Sequence, residues 1–389
     1  MSLDVKLLQR VKVIDTDNLA QTVLEVLQTE NYHRPLFIMD GFLAKVQLVQ
    51  DTQKLLKDNG IDVAVFDKVV SDPPAQTIRD GVTAFEAAKA DSIIAIGGGS
   101  SIDVARGVNI VRTNGGDIMD YTDPKKEIKV CKGLIAVPTT SGTGSEMSNA
   151  LVVTDVKTEK KLAILSDNAV SEYAILNPDL LLSLPTKMTI ATGLDAFSHA
   201  AEGYTSRLSS PITDAICEKV MFLLANYLPT AVKDGQNRKA RQEVMVAAAL
   251  AGWMLNNAGT NAGHSMAHIL GSKYHIVHGE AVAYALPSVL TAVSELMPEK
   301  VAEIGQILGL NYAEDESMAD RASAAVKQYQ HFRDDVLGLH PFSDYGISSE
   351  QVVSNAKAVA NEQFASNMPG EMNEQVAAKL LAGFGKRLD

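Results

Sequence analysis

The chain changes character near residue 185, and that change bounds what it can fold into. Before it, short apolar runs alternate with segments of helical period. PLFIMDG (35–41) and IDVAVFD (61–67) read as strands, and SIIAIGGGSSIDVARGVNIV (92–111) reads as strand, glycine turn and helix. Residues 1–30 give a short strand and a helix carrying Leu19, Val23, Val26 and Leu27, and further helices are expected over 45–59 and 75–90. LIAVPTTSGTGSEMSNALVVTD (134–155) holds two more apolar runs around a hydroxyl-rich loop. Such alternation predicts a parallel α/β sheet, because parallel neighbours need crossover helices. After LLSLPTK the pattern is helical almost to the end, over 212–233, 239–256, 281–292, 298–308 and about 372–386, with HFRDDVLGLHPFSDYGIS expected as a loop. A chain of 389 residues is long for one core. The expectation is an α/β domain over 1–185 and an all-helical domain over 186–389.

The formal net charge is −12, and no Lys/Arg block is long enough to track a phosphate backbone, so nucleic acid is not expected as a partner. Cys131 and Cys217 make neither a disulfide framework nor a thiolate metal site, which fits a reducing compartment. The start, MSLDVKLLQRVKVIDTD, is charged throughout and unlike a signal peptide, and no run is read as approaching membrane-spanning length. A cytoplasmic protein with no membrane partner is expected.

The chemistry concentrates between Asp195 and His278. Asp195 and His199 stand four apart in GLDAFSHAAEGY, on one face of a helix. His264 and His268 repeat the spacing in NAGHSMAHILGSKYHIVHGEA, where His275 and His278 follow. Either pair alone fits a hydrogen-bonded core histidine as well as a ligand. Their neighbours are Ala, Gly and Ser, however, among which an imidazole needs a partner, and small residues let helices approach one ion. A divalent metal centre with nitrogen and oxygen donors is the favoured reading.

Gly97, Gly98 and Gly99 lie between an apolar strand and a helix expected to begin near Ser100–Asp103, where backbone amides can hold a pyrophosphate. This is neither GxGxxG nor a P-loop, and a turn needed only for chain reversal explains it equally. The run from Thr139 to Ser145 (Thr139, Thr140, Ser141, Gly142, Thr143, Gly144, Ser145) adds hydroxyls and amides after another strand. Asp40, at the end of an early strand, can accept both ribose hydroxyls and repel a 2′-phosphate, although Asp before Gly is also ordinary turn chemistry.

These residues resemble the iron-dependent (group III) alcohol dehydrogenases over nearly the whole chain. The resemblance is carried by IGGGSSIDVARG, PTTSGTGSE, NPDLLLSLPTKMTIATGLDAFSHAAEGY and NNAGTNAGHSMAHILGSKYHIVHGEA. It implies a Rossmann-like amino-terminal domain, a helical carboxy-terminal domain of the dehydroquinate synthase-like fold, and a cleft for cofactor and metal. It implies Asp195, His199, His264 and His278 as ligands, with His268 handling a proton beside the substrate. NAD(P) phosphates are implied at Gly98, Gly99 and Ser100, with Thr139, Thr140, Thr143 and Lys161 nearby, and the acidic Asp40 goes with NAD. Four departures stand out: Ser101 for a proline, Arg106 for a lysine, Asp72 for an asparagine that would face the nicotinamide side, and Ser148–Asn149 in a variable region.

The expected reaction is reversible hydride transfer between NAD(H) and a small primary alcohol, diol or hydroxy-aldehyde, with Fe²⁺ at the centre and Zn²⁺ also compatible with three imidazoles and a carboxylate. The alternatives are a zinc-dependent relative acting on a charged short aldehyde, a non-redox lyase resembling dehydroquinate synthase, and a catalytically silent metal-binding protein. The lyase needs several basic residues near the metal motifs, where only Lys187, Arg207 and Lys273 are at hand. A homodimer or larger homo-oligomer is implied by the resemblance.

Overall fold

The computed structural model describes residues 7–156 and 160–387. Residues 1–6 of the charged amino terminus lie outside the described residues. Two compact units divide the chain, Leu8–Leu184 and a second that begins at Pro185.

The first unit runs β1 (Lys12–Asp15), α1 (Leu19–Glu30), β2 (Pro35–Ile38), α2 (Gln47–Asp58), β3 (Ala64–Phe66), α3 (Ala75–Ala87), β4 (Ser92–Gly97), α4 (Gly99–Asn114), β5 (Leu134–Pro138), β6 (Ala150–Asp155), β7 (Lys160–Leu165) and β8 (Tyr173–Leu176). Six strands form one parallel sheet in the order β1-β8-β5-β4-β2-β3. Successive side chains of a strand point to opposite faces, and both faces here are covered. Phe37, Ile94, Ile96, Ile135 and Val137 pack with Leu19, Leu27, Val49 and Leu56 of α1 and α2. Leu36, Ile38, Ile93, Ala95, Leu134 and Ala136 pack on the other side with Ile78, Phe85, Ile102 and Val108 of α3 and α4.

Strands β6 and β7 leave the sheet to form an antiparallel hairpin. The second apolar run of 134–155 therefore lies outside the six-stranded sheet, and its burial alternates where that of β5 is continuous. From β2 the chain moves outward to β3, then crosses back to β4 and onward to β5. The reversal opens a crevice beyond the carboxyl ends of β2 and β4, where Asp40 and Gly97–Gly99 stand.

The second unit contains α5 (Thr186–Tyr204), α6 (Pro211–Lys233), α7 (Arg238–Ala258), α8 (Ala262–Tyr274), α9 (His278–Ser294), α10 (Pro298–Ile307), α11 (Met318–His331), two single-turn helices α12 (Ser349–Val353) and α13 (Ala356–Ala360), and α14 (Glu374–Gly383). Helix α5 is central and buried nearly throughout, with α6, α7 and α9 against it. Its glycines permit this: a methyl at Gly193 would meet Leu228 of α6, and one at Gly203 would meet Met254 of α7. Helix α6 opens on Ser210, whose hydroxyl and that of Thr213 exchange bonds with each other's backbone amides, and on Pro211 in the first turn. Contrary to the sequence reading, α6 is long and apolar enough to cross a membrane by length and composition. In the fold it packs on α5 and α7 as a core helix does, carrying Asp214, Glu218 and Lys219. The segment expected as a loop, 331–348, holds a π-turn at Phe332–Val336 and a 3₁₀ turn at Phe342–Tyr345.

Candidate metal centre and nucleotide cradle

Three elements of the second unit bring four side chains together. Asp195 and His199 lie one turn apart on α5, His264 lies in the first turn of α8, and His278 opens α9. Asp195 Oδ1 is 3.7 Å from His199 Nε2, 3.6 Å from His264 Nε2 and 3.6 Å from His278 Nε2. Around an ion with bonds of about 2.1 Å, tetrahedral ligand atoms stand about 3.4 Å apart; Asp195, His199 and His264 have ligand atoms all within 4.8 Å of one another, whereas His278 is at such a distance from Asp195. These separations exceed direct hydrogen bonds, and Asp195 Oδ1 and His264 Nε2 are buried without any partner. Two buried polar atoms aimed at one point need something between them, and a divalent cation satisfies both.

Electrostatics agrees with the geometry. Desolvation works to raise the Asp195 carboxyl, yet the surrounding imidazoles hold it far below the usual carboxylate range. Burial works to lower His264, but Glu202 and Asp195 push it up to about 10.

Close helix approach makes the cluster possible. A Cβ on Gly279 would collide with the Ala191 carbonyl of α5, so only glycine lets the start of α9 settle beside Asp195. The His264 and His199 rings stack with centroids 4.5 Å apart.

A residue not singled out in the sequence orients the centre. Glu202 Oε1 accepts from His264 Nδ1 at 2.8 Å, and Oε2 accepts from the backbone amides of Asn261 at 2.8 Å and His264 at 3.2 Å. The bond fixes the tautomer that presents Nε2 inward. Its signal was available: Asp195, His199 and Glu202 follow i, i+4, i+7, one continuous helix face. Glu362 is the second such residue, accepting from His268 Nδ1 at 3.2 Å and from the Ser265 hydroxyl at 2.6 Å. Burial works to raise the Glu362 carboxyl, but these bonds hold it below the usual glutamate value. No local pattern announces a residue 94 positions from its partner. His268 itself stands off the cluster, 34% exposed at the side chain, its ring stacked 5.4 Å from that of His278.

In the first unit, the carboxyl ends of β5, β4 and β2 carry the expected nucleotide residues side by side. Helix α4 begins at Gly99, directly after the glycine turn, and Gly98 offers no side-chain cap to its free amides. Cβ positions on Gly98 and Gly99 would come within 3.2 Å of Thr140 and 3.1 Å of Thr143, so the glycines keep the turn open beside those hydroxyls. The Thr139 amide donates to the Gly97 carbonyl at 3.0 Å, fastening the two loops together. Thr143 Oγ1 is within 3.1 Å of the Ser145 hydroxyl, and Ser100 is in the first turn of α4.

Asp40 is partly engaged, since its Oδ1 accepts from the amides of Phe42 at 2.8 Å and Leu43 at 3.0 Å. Asp72 adopts a left-handed φ of 51° before Pro73, a strained setting for a non-glycine residue. Its carboxylate pairs with Lys161 Nζ at 2.6 Å, and the Thr154 hydroxyl donates to its carbonyl at 3.2 Å. The loop of Asp72 is thereby tied to the β6–β7 hairpin, a link between two expected cofactor residues that sequence distance conceals. Arg106, fully buried on α4, donates to the carbonyls of Ser145 and Ala150 and so clamps both ends of the segment that follows the hydroxyl-rich loop.

The chain matches the family model described as iron-containing alcohol dehydrogenase over residues 11–178, and the model of the carboxy-terminal part of the Fe-containing alcohol dehydrogenase family over 189–383. It is 35% identical to the NAD-dependent methanol dehydrogenase of Bacillus methanolicus across 76% of this chain and 78% of that protein. It is 34% identical to the 1,3-propanediol dehydrogenase of Klebsiella pneumoniae across 88% of this chain and 91% of that protein. The solved alcohol dehydrogenase of Oenococcus oeni superposes with a TM-score of 0.90 at 32% identity, covering 96% of this chain and 98% of that one.

Proposed function

We infer that this chain, which belongs to the iron-containing alcohol dehydrogenase family, is an NAD-dependent oxidoreductase transferring hydride between NAD(H) and a small primary alcohol, diol or hydroxy-aldehyde. The observation that carries the site assignment is the buried Asp195 Oδ1, unpartnered and ringed by three imidazole nitrogens at 3.6–3.7 Å. Asp195, His199, His264 and His278 are proposed to hold the divalent ion, Fe²⁺ in keeping with the family and Zn²⁺ as a chemically compatible substitute. When bound, the ion supplies Lewis-acid polarisation of the substrate oxygen, and NAD supplies the hydride acceptor.

The chain's own residues do the rest. Asp195 brings the single negative charge of the ligand set, leaving a net positive site for an oxygen that gains negative charge during the reaction. Glu202 holds His264 in the ligating tautomer. His268, paired with Glu362, takes the substrate hydroxyl proton in the oxidation direction and returns it in reduction, with the Glu362 carboxylate stabilising the imidazolium that forms. In the first unit, the amides at Gly97, Gly98, Gly99 and Ser100 and the hydroxyls of Thr139, Thr140 and Thr143 receive the pyrophosphate. Asp40 keeps one carboxylate oxygen for the adenosine ribose, and Asp72 with Lys161 lines the same carboxyl edge. This reading includes a homo-oligomer working in the cytoplasm on a small-molecule alcohol or aldehyde, without nucleic-acid or membrane partners.

The test is anaerobic NADH oxidation by metal-stripped protein, with Fe²⁺ or Zn²⁺ restored, across two- to five-carbon aldehydes and hydroxy-aldehydes. Turnover is expected only after metal is restored. His264→Ala is expected to fold, to retain no metal and to lose turnover; metal-dependent activity in that variant would refute the ligand assignment.

A further inference from the structure

Of the four proposed ligands, His278 is held differently. Asp195 and His199 sit inside a buried helix, and the ring of His264 is anchored by Glu202. His278 is the first residue of α9, preceded by an exposed Val277 whose side chain provides no cap, and 40% of its own side chain is exposed. Among the described residues no hydrogen bond orients its second ring nitrogen. Its placement therefore depends on the backbone on either side of it.

That backbone is bracketed by one hydroxyl. Tyr345 Oη accepts from the Val277 amide at 3.3 Å and donates to Glu280 Oε2 at 2.5 Å, spanning from the residue before His278 to the residue two after it. A phenol has one proton to give and lone pairs to receive, so both bonds form at once. The same Glu280 oxygen accepts from His340 Nε2 at 2.8 Å. Glu280 is 7% exposed, and a buried carboxylate needs such donors. Behind it lies a cavity of about 320 Å³, lined by Lys187, Ile190, Leu339, His340 and Asp344, so dense packing does not hold the carboxylate from that side. Donor bonds hold it instead. Tyr345 is itself fixed against the rings of His340, Phe342 and Tyr284.

We propose that Tyr345, acting through Glu280 and with His340, positions His278 and thereby sets the affinity of the centre for its divalent ion. The proposal rests on the metal-centre reading above. Outer residues that orient a ligand commonly govern affinity by about 10- to 100-fold.

The experiment is a Co²⁺ titration of the full chain against a competing chelator, read also by the cobalt d–d absorption band. Tyr345→Phe keeps the ring and its stacking while deleting both hydrogen bonds. It is expected to weaken Co²⁺ binding by roughly 10- to 100-fold and to shift the band, with NADH affinity by fluorescence titration unchanged and the metal-free melting temperature lowered only by the lost bond to Glu280. His340→Ala, which removes one donor, is expected to weaken binding several-fold and serves if the first variant does not fold. Wild-type cobalt affinity and spectrum in either folded variant would overturn the proposal. A purely structural role would instead lower the metal-free melting temperature and NADH affinity together. Failure of the wild-type chain to bind Co²⁺ at all, or unchanged binding in His264→Ala, would remove the metal-centre reading and the proposal with it.

Discussion

At the scale of single residues, Asp40 shows how one carboxylate serves two demands. Its Oδ1 is committed to the amides of Phe42 and Leu43, which shapes the turn after β2, and in the proposed function its charge disfavours a 2′-phosphate. Glycine at this position removes charge and turn together, whereas Asn keeps the acceptor and removes only the charge. Asp40→Asn is therefore expected to raise the ratio of kcat/KM for NADP over NAD by about tenfold, equivalent to about 1.4 kcal/mol of relieved repulsion, without loss of thermal stability. Steady-state kinetics with both cofactors checks this, and an unchanged ratio would place the discrimination elsewhere. The pairs Asp195–His199 and His264–His268 were legible from their helical spacing, whereas the choice of His278 over His268 as a proposed ligand came from the family resemblance. Glu202 and Glu362 were harder to read, since a residue that orients a ligand is recognised only by what it touches, and Glu362 meets His268 from a loop 94 positions away.

At the scale of elements, helix α4 and the loop beside it enclose an unusual group of buried charges. Arg106 and Glu146 are buried, Asp103 accepts from the Val152 amide at 3.0 Å, and the Arg106 guanidinium stands 3.9 Å from the Asp103 carboxylate. Desolvation raises Glu146 to about 7, partly offset by its own backbone amide and by Arg106. A carboxyl whose folded value exceeds its unfolded one favours the protonated form in the fold. Its contribution to stability is full below the ordinary glutamate value of 4.5 and is lost as pH rises through about 7. Glu146→Gln, neutral at every pH, is expected to flatten the decline of melting temperature between about pH 5 and about pH 8. Parallel slopes for the two proteins would show that Glu146 does not titrate there. Element by element, long periodic segments such as α5, α6 and α7 were legible, as was β4 with its glycine turn. Strand β7, KKLAIL, opens on two lysines, and β8 is only four residues long, so neither has the alternation that marks a strand.

At the scale of the molecule, the change near residue 185 announced a parallel α/β unit followed by helices, because crossover connections and continuous helical periods leave different imprints over many residues. Strand order was not legible: that β4 lies between β2 and β5 is decided by pairing across the chain, to which local hydrophobicity is blind. The organisation also separates the two proposed ligand sites by unit, the residues proposed for the pyrophosphate falling before Leu184 and those proposed for the metal after Pro185. Metal binding then stabilises folding of the helical unit by mass action, since the unfolded chain cannot assemble Asp195 with three histidines from three helices. At a free metal concentration 100-fold above Kd this amounts to about 2.7 kcal/mol. For a unit of this size each kcal/mol moves the midpoint by about 2–4 °C, so chelation is expected to lower the melting temperature by roughly 5–10 °C, and reloading to restore it. Scanning calorimetry of stripped and reloaded protein measures the shift, with His264→Ala as the control that removes an imidazole whose Nε2 has no other partner. In that variant the metal-dependent shift should vanish. If it persisted undiminished, the stabilising ion would be bound elsewhere, and the geometry around Asp195 Oδ1 would need another explanation.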